Sequence, residues 1–287
     1  MIGSIEAGGT KFVCAIGNKQ LKILKKITIP TTTPVETLNQ VISFFKLYEE
    51  NLFAIGVSSF GPIDIIKDSP TYGYITTTPK SGWQNFDFIG TLKSSFNLPI
   101  NWTTDVNAAA YGEYIYGCER AISSLVYYTV GTGIGGGAIQ NGDFIEGYSH
   151  PEMGHMIVRK HSEDGYSGNC PFHGDCLEGL ASGPAIEQRV GEKSENIELN
   201  HVCWDIEAYY LAQCAYNVTL QLSPEKIIFG GGVMNQKHLI NKIRSNFQRI
   251  LNGYVKTPSI EDYIVLPKLG NDSGIIGGLA LAKELIK

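Results

Sequence analysis

The chain opens with Ile2-Gly3-Ser4-Ile5-Glu6-Ala7-Gly8-Gly9-Thr10-Lys11-Phe12-Val13-Cys14-Ala15-Ile16, two apolar runs on either side of a glycine pair. Turn-forming glycines between two runs of strand length predict a β-hairpin, with strands at residues 2–6 and 12–16. The pattern recurs later, where a predicted strand at 124–130 precedes a glycine-rich turn at 131–137 and a strand that begins at Ala138. Two halves that open alike indicate a duplicated α/β unit.

Helix and strand signals continue between and after these hairpins. Thr33, Pro34 and Glu36 predict a helix start, because Thr caps the first turn, Pro suits the first helical position and Glu completes a capping box. Further strands are predicted at 53–57, 99–102 and 227–229, and further helices at 205–222, 237–251 and 274–286.

No polar or proline-rich linker separates the two halves. We therefore predict an N-terminal α/β domain at 1–117 and a C-terminal α/β domain at 118–273 that share a cleft. The closing helix at 274–287 can pack back on the first domain, so the second boundary stays open.

The composition excludes several function classes. The 287 residues carry a net charge of −5, without the basic surface that nucleic acid or anionic lipid requires. No apolar run approaches the roughly 18 residues of a membrane span. The N-terminus lacks a signal-peptide pattern, and the six cysteines do not form a disulfide framework. We predict a cytoplasmic protein that binds neither nucleic acid nor membrane.

Glycine is in excess, with 33 residues against roughly 20 expected from an average content of about 7%. Three clusters, at 8–9, 131–137 and 230–232, each follow a predicted strand. Glycine turns allow backbone N–H groups to converge on an anion, most often phosphate. Each cluster alone is also compatible with an ordinary tight hairpin, but three together favour a nucleotide site.

Residues 131–136 satisfy the pattern G-x-G-x-x-G of dinucleotide-binding proteins. That pattern requires a following helix, whereas residues 138–142 predict a strand and a turn. A Walker motif is also absent from the sequence. The predicted phosphate site is therefore of neither the Rossmann nor the P-loop type.

Cys170, His173 and Cys176 have C-x-x-H-x-x-C spacing, and His155 precedes them. Two thiolates and two imidazoles complete a tetrahedral Zn²⁺ shell with no open position, which predicts a structural zinc site. The alternative is a pair of unrelated thiols beside a histidine.

Three carboxylates are candidates for substrate chemistry. Asp105 lies where a strand passes into an alanine-rich helix, so it is either a helix cap or a base that accepts a proton from a hydroxyl. Glu152 and Glu178 flank the predicted zinc site, where carboxylates and imidazoles suit the hydroxyls of a sugar. Solvated surface charge is the alternative for both.

Taken together, the motifs resemble the ROK family of bacterial sugar kinases and repressors over nearly the whole chain. The resemblance is carried by residues 6–11, 105–109, 131–137, 152–155 and 229–233. It implies an actin-like, hexokinase-type α/β fold with two domains around a nucleotide and sugar cleft, and a homodimer. Within the family, residues 77–83 resemble the TPK-x-GW loop of the fructokinases, and the C-x-x-H-x-x-C site resembles the corresponding site of the fructokinases. Thr104 departs from the glucokinases, which have Asn there.

The resemblance also implies roles for individual residues. Asp105 would be the general base in the transfer of a phosphoryl group from ATP to a hexose. The hexose would be D-fructose and the product fructose 6-phosphate. Mg²⁺ would be bound to the ATP phosphates. The zinc ligands would be His155, Cys170, His173 and Cys176. The sugar-binding residues would be Asn107, Glu152, His155 and Glu178. The ATP-binding residues would be Gly9, Thr10, Lys11, Thr132, Gly133, Pro184, Gly230, Gly231, Gly232 and Asn235.

Alternative functions within the resemblance are a kinase for mannose, glucose or an amino sugar, a sugar-sensing repressor, and a non-catalytic sugar-binding protein. ROK repressors add a DNA-binding domain before the first strand, and here the glycine motif begins at residue 6. The presence of Asp105 and the nucleotide glycines argues against a non-catalytic relative.

Overall fold

The computed structural model describes residues 1–118 and 120–286. Glu119 and Lys287, which fall within the predicted domain ranges, lie outside the described residues. The described chain forms two compact units. The first comprises residues 1–118 with Ile145–His150 and 271–286, and the second comprises 120–144 with Pro151–Gly270. The segment Ile145–His150 thus lies with the first unit, whereas the predicted C-terminal domain includes it.

The strands of the described chain form two five-stranded sheets and a small two-stranded sheet. In chain order the strands are β1 (Ile2–Ala7), β2 (Lys11–Gly17), β3 (Ile23–Pro30), β4 (Ile55–Ser59), β5 (Tyr74–Ile75), β6 (Phe86–Asp87), β7 (Ile100–Thr104), β8 (Ser124–Val130), β9 (Ile134–Gln140), β10 (Asp143–Phe144), β11 (Ile227–Gly230) and β12 (Ile264–Val265).

The helices pack around these sheets. In chain order they are α1 (Pro34–Lys46), α2 (Phe88–Ser95), α3 (Asp105–Gly112), α4 (Leu177–Ala181), α5 (Gly183–Val190), α6 (Cys203–Leu222), α7 (Leu239–Leu251), α8 (Ile260–Tyr263) and α9 (Ser273–Glu284). A π-helical turn at Glu113–Gly117 follows α3. Within the described residues, no helix is long and apolar enough to cross a membrane.

The two large sheets have the same topology. One has the order β3-β2-β1-β4-β7 and the other the order β10-β9-β8-β11-β12. In each, the first three strands of the chain are antiparallel neighbours, and the last two are parallel to the first. The predicted duplicated α/β unit is confirmed by this shared order and direction.

The local signals that fix helix α1 act as predicted. The Thr33 side chain accepts a hydrogen bond from the Glu36 backbone N–H at 3.4 Å, and Pro34 occupies the first position. Hydrogen bonds from Thr32 and Thr33 hold the pKa of Glu36 below its ordinary value, as a capping box requires.

One predicted boundary is wrong. The glycine-rich turn ends at Gly133, and residues 134–137 already belong to strand β9. A Cβ at Gly136 would lie 2.8 Å from both Met153 Cβ and Tyr128 Cε1. Glycine is therefore required here by close packing on a strand, which sequence reasoning interpreted as turn chemistry.

Helix α9 packs on α3, β1 and β4 in the first unit through contacts that only glycine permits. A Cβ at Gly277 would lie 1.7 Å from the Ala108 carbonyl oxygen, and one at Gly56 would lie 2.0 Å from the Gly278 carbonyl oxygen. The first turn of α9 thus packs against the end of α3, and Gly274 lies beside Glu6 of strand β1.

Candidate active site

Asp105 is the first residue of helix α3, directly after strand β7. The preceding Thr104 caps the helix, because its side chain accepts a hydrogen bond from the Asn107 backbone N–H at 3.2 Å. Asp105 Oδ1 accepts from the Val106 backbone N–H at 2.8 Å. The interpretation of Asp105 as the helix cap is therefore wrong. A half-buried carboxylate in the first turn also benefits from the helix dipole.

A second carboxylate, Glu6 on strand β1, lies near Asp105. Burial raises the pKa of Glu6 to about 7, and the negative charge of Asp105 adds to the shift. Glu6 Oε2 is buried and has no hydrogen-bond partner among the described residues. A Cβ at Gly274, near the start of α9, would lie 2.8 Å from Glu6 Cδ. Sequence reasoning gave Glu6 no role, although a charged residue within an apolar strand was the available signal.

The predicted phosphate-binding residues of the first unit, Gly9, Thr10 and Lys11, form the exposed β1–β2 turn. The Gly8 N–H donates to the Lys11 carbonyl oxygen at 3.0 Å, which closes the turn. Thr31, the residue after β3, holds this turn in place: its N–H donates to the Thr10 carbonyl oxygen, and its hydroxyl donates to the Gly8 carbonyl oxygen. The tip of the turn is thus fixed and accessible.

The predicted sugar-binding residue Asn107 is only 2% exposed. Its amide nitrogen donates to Thr103 Oγ1 at 3.2 Å and to Glu146 Oε1 at 3.4 Å. Asn107 therefore connects helix α3 to the segment Ile145–His150, which sequence reasoning assigned to the other half of the chain.

In the second unit, the glycines of the predicted nucleotide site converge. The Gly183 N–H at the start of α5 donates to the Gly131 carbonyl oxygen at 2.7 Å. A Cβ at Gly131 would lie 3.8 Å from the Gly232 nitrogen. Gly231 has φ +90°, and a Cβ there would lie 2.4 Å from the Val130 carbonyl oxygen.

This convergence brings most of the predicted ATP-binding residues of the second unit to one region. Pro184 lies in the first turn of α5, and Asn235 ends the short 3₁₀ helix Gly232–Asn235. Thr132, Gly232 and Asn235 are exposed. Turns that present backbone N–H groups beside a helix N-terminus are suited to phosphate.

The four predicted zinc ligands form a cluster. Their ligand atoms all lie within 4.8 Å of one another. His155 Nδ1 is 3.6 Å from Cys170 Sγ and 3.5 Å from Cys176 Sγ, and His173 Nδ1 is 3.6 Å from Cys170 Sγ. Zn–S bonds of about 2.3 Å and Zn–N bonds of about 2.0–2.1 Å at tetrahedral angles place sulfur and nitrogen about 3.6 Å apart. The residues therefore fit zinc.

The chemistry of the thiols agrees with this fit. Burial raises the pKa of the Cys176 thiol to about 11, so without a metal it stays protonated at neutral pH. A zinc ion held here would bind the thiolate form of Cys176, with release of that proton. Cys170 and Cys176 are not joined in a disulfide, and Gly174, with φ +66°, forms the turn between the last three ligands.

The remaining predicted sugar-binding residues lie beside the zinc ligands and strand β9. Glu178 Oε2 accepts from the Ile134 backbone N–H at 2.9 Å, and its Oε1 is 3.9 Å from His155 Nε2. The His155 N–H donates to the Glu152 carbonyl oxygen at 3.1 Å. A Cβ at Gly154 would lie 1.7 Å from the Ile134 carbonyl oxygen. The structure thus brings Glu152, His155 and Glu178 together at one end of β9.

The sequence of the chain matches the ROK family over residues 2–285. The chain belongs to the ROK family. It is 52% identical to a fructokinase from Streptococcus mutans, over 99% of this chain and 98% of that protein. It is 49% identical to a fructokinase from Pediococcus pentosaceus, over 100% of this chain and 99% of that protein.

A solved ROK structure agrees with this membership. The ROK hexokinase from Thermus thermophilus superposes with a TM-score of 0.82 at 23% identity, covering 99% of this chain and 98% of that one. The predicted actin-like, hexokinase-type α/β fold is confirmed. The ROK motifs of this chain fall at the β1–β2 turn, the start of α3, the β8–β9 turn, the zinc cluster and the end of β11.

Proposed function

We propose that this ROK protein is an ATP-dependent fructokinase that transfers the terminal phosphoryl group of ATP to D-fructose and forms fructose 6-phosphate. The observation that carries the proposal is the identity of 52% and 49% to two fructokinases over nearly the full length of each chain. The carboxylate of Asp105 at the start of α3 supplies the base that such a reaction requires.

In the proposed mechanism, Asp105 accepts the proton of the attacking sugar hydroxyl as the sugar oxygen bonds to the γ-phosphorus, while the bond from that phosphorus to the bridging oxygen breaks and ADP leaves. The turn at Gly9, Thr10 and Lys11 and the turn at Thr132 and Gly133 bind the phosphates through backbone N–H groups and the lysine charge. Mg²⁺, bound with ATP, supplies charge neutralisation on the phosphate oxygens. In such transfers, catalysis consists mainly of positioning and electrostatic stabilisation.

For the sugar, we propose contacts from Glu152, His155 and Glu178, the group at the end of β9. The adenosine would be bordered by Pro184, Asn235 and the glycines at 230–232, as the ROK resemblance implies. His155, Cys170, His173 and Cys176 would hold one structural zinc ion.

The substrate assignment is tested by a coupled assay of ADP release across fructose, mannose, glucose and N-acetylmannosamine. We expect the highest kcat/KM on fructose, and identification of the product as fructose 6-phosphate by its coupling to glucose-6-phosphate isomerase. An equal or better kcat/KM on glucose would overturn the fructokinase assignment. We further propose that the protein works in the cytoplasm and forms a homodimer; sedimentation velocity tests the dimer.

A further inference from the structure

The sugar contacts proposed above all lie in the second unit, and the first unit has a polar group of its own around the first turn of α3, which carries Asp105. Thr104, where glucokinases of the family have Asn, is 5% exposed and its hydroxyl is engaged as the helix cap. Asn107 is buried, and its amide nitrogen has acceptors in Thr103 and Glu146. Of this hydrogen-bonded set, Glu146 is the residue whose side chain is exposed.

The position of Glu146 is fixed from two directions. Asn107, two residues after Asp105 on the first turn of α3, donates to Glu146 Oε1. At the end of the same segment, buried His150 accepts a hydrogen bond from the Ile63 backbone N–H through Nε2 at 3.2 Å. A segment held at both ends presents its carboxylate in a defined direction.

The neighbours of Glu146 make a polar surface. Burial raises the pKa of the Tyr72 hydroxyl, and the negative charge of Glu146 raises it further, so the two side chains are close. Burial raises the pKa of Glu146, and the charge of nearby Lys67 acts to lower it. A carboxylate accepts hydrogen bonds from hydroxyl groups and makes stronger ones than a neutral acceptor.

We propose that Glu146 is a specificity-determining residue that accepts a hydrogen bond from a non-reacting hydroxyl of the sugar. This inference rests on the proposed function, because Asp105 must face the reacting hydroxyl. A hexose has hydroxyls on successive carbons, and Glu146 is hydrogen-bonded to the same first turn of α3 that carries Asp105, so the expected donor to Glu146 is a hydroxyl other than the reacting one. Asn107 then acts as a positioning residue for Glu146.

The first test compares Glu146→Ala and Glu146→Gln with the wild-type chain. We expect the KM for fructose to rise about tenfold to a hundredfold in Glu146→Ala, because a hydrogen bond to a charged group is lost. The rise should be smaller in Glu146→Gln, which keeps an acceptor oxygen. The KM for ATP and the thermal midpoint should stay as in the wild type. Glu50→Gln, an exposed carboxylate of the same unit, is the matched control.

The second test separates contact from structure. Monodeoxy analogues of fructose remove one hydroxyl at a time, and we measure kcat/KM for each with both the wild type and Glu146→Ala. If Glu146 contacts a hydroxyl, the analogue that lacks this hydroxyl should have a lower kcat/KM than fructose with the wild type. With Glu146→Ala, the same analogue and fructose should have similar kcat/KM values. Equal losses in both proteins for every analogue would overturn the inference, as would a fructose KM within twofold of the wild type in Glu146→Ala.

The wild-type arm distinguishes the two proposals. A wild-type chain that phosphorylates none of the hexoses overturns both. A wild-type chain that phosphorylates fructose, with a Glu146→Ala variant that shows no change, overturns the role of Glu146 alone.

Discussion

The Glu178 carboxylate accepts a hydrogen bond from the Ile134 backbone N–H at 2.9 Å, immediately after the β8–β9 turn. Its other oxygen is 3.9 Å from His155 Nε2. The ring nitrogen of His155 that faces the thiols is Nδ1. One carboxylate thus connects the zinc cluster to the turn proposed to bind phosphate, in the manner of a carboxylate that orients a metal-binding histidine.

We expect Glu178→Ala to weaken nucleotide binding as well as sugar binding. The variant leaves the Ile134 N–H without its acceptor, which costs about 1–3 kcal/mol and loosens the turn at Thr132 and Gly133. Titration calorimetry with a non-hydrolysable ATP analogue measures the affinity, and urea unfolding measures the stability. Glu163→Gln, an exposed carboxylate of the same unit, should change neither. An unchanged affinity for the analogue in Glu178→Ala would show that this hydrogen bond does not support the turn.

The zinc site predicts a metal content that can be measured directly. Metal analysis of protein purified without chelators should give about one zinc per chain, and Cys176→Ser should contain little or none. The variant should also unfold at a lower temperature, because the segment around Gly174 loses its cross-link. Cys118→Ser is the matched control, since Cys118 lies outside the four-residue cluster. A wild-type chain that contains no zinc, or a Cys176→Ser chain that keeps it, would rule out the site.

Asp105→Asn tests the base. The amide keeps the size and an acceptor oxygen for the Val106 N–H but cannot take a proton at neutral pH. We expect kcat to fall by about 10²–10⁴-fold, the range for loss of general base catalysis. The affinity for the ATP analogue and the thermal midpoint should be those of the wild type. Turnover close to normal would remove Asp105 from the role of base.

Sequence reasoning identified the elements whose signals are local. The hairpin around Gly8 and Gly9, the capping box at Thr33 and Glu36, and the C-x-x-H-x-x-C spacing each depend on residues a few positions apart. The shared topology of the two large sheets followed from the repeated glycine turns. These features could be predicted because the residues that interact in them are close together in the sequence.

The features that sequence reasoning missed depend on distant pairs. Gly136 was assigned to a turn because nothing in the sequence shows that Met153 packs against it. Glu146 was given no role because its partner, Asn107, is 39 positions away. The sequence predicts no strand at edge strand β3, since its two lysines interrupt the apolar pattern. These features depend on contacts between residues that are far apart in the chain, and a single sequence does not show which distant residues are in contact.

Glu6 gives the stability of the protein a specific dependence on pH. A carboxyl whose pKa is raised on folding binds a proton more tightly in the folded chain, so its stabilising effect is complete below about pH 4.5. It is lost as the pH rises through about 7. The loss is at most about 3 kcal/mol for a shift of this size. Asp105 and Asp272 raise the pKa in addition to burial, whereas Lys11 and Lys26 lower it.

Glu6→Gln replaces the protonated carboxyl by a neutral amide of the same shape. We measure the free energy of unfolding in urea for the variant and the wild type at pH 5 and at pH 8. The difference, variant minus wild type, should be larger at pH 8 than at pH 5. Glu50→Gln, which removes an exposed carboxylate, should show the same difference at both pH values. A Glu6→Gln difference that does not change with pH would mean that Glu6 is ionised throughout.

The close contact of α3 and α9 predicts that Gly277→Ala lowers the stability of the protein, whereas helix propensity alone predicts an increase. Alanine in place of an exposed helical glycine stabilises a helix by about 1 kcal/mol. At Gly277, however, the new Cβ would lie 1.7 Å from the Ala108 carbonyl oxygen, so the two helices must separate. We expect Gly277→Ala to destabilise the protein by about 1–3 kcal/mol or more in urea unfolding, as overpacking does. Gly165→Ala is the matched control, because a Cβ at Gly165 has no neighbour within 4 Å and φ there is not positive. That variant should keep or slightly raise the stability, and equal stability of both variants would contradict the glycine-mediated crossing.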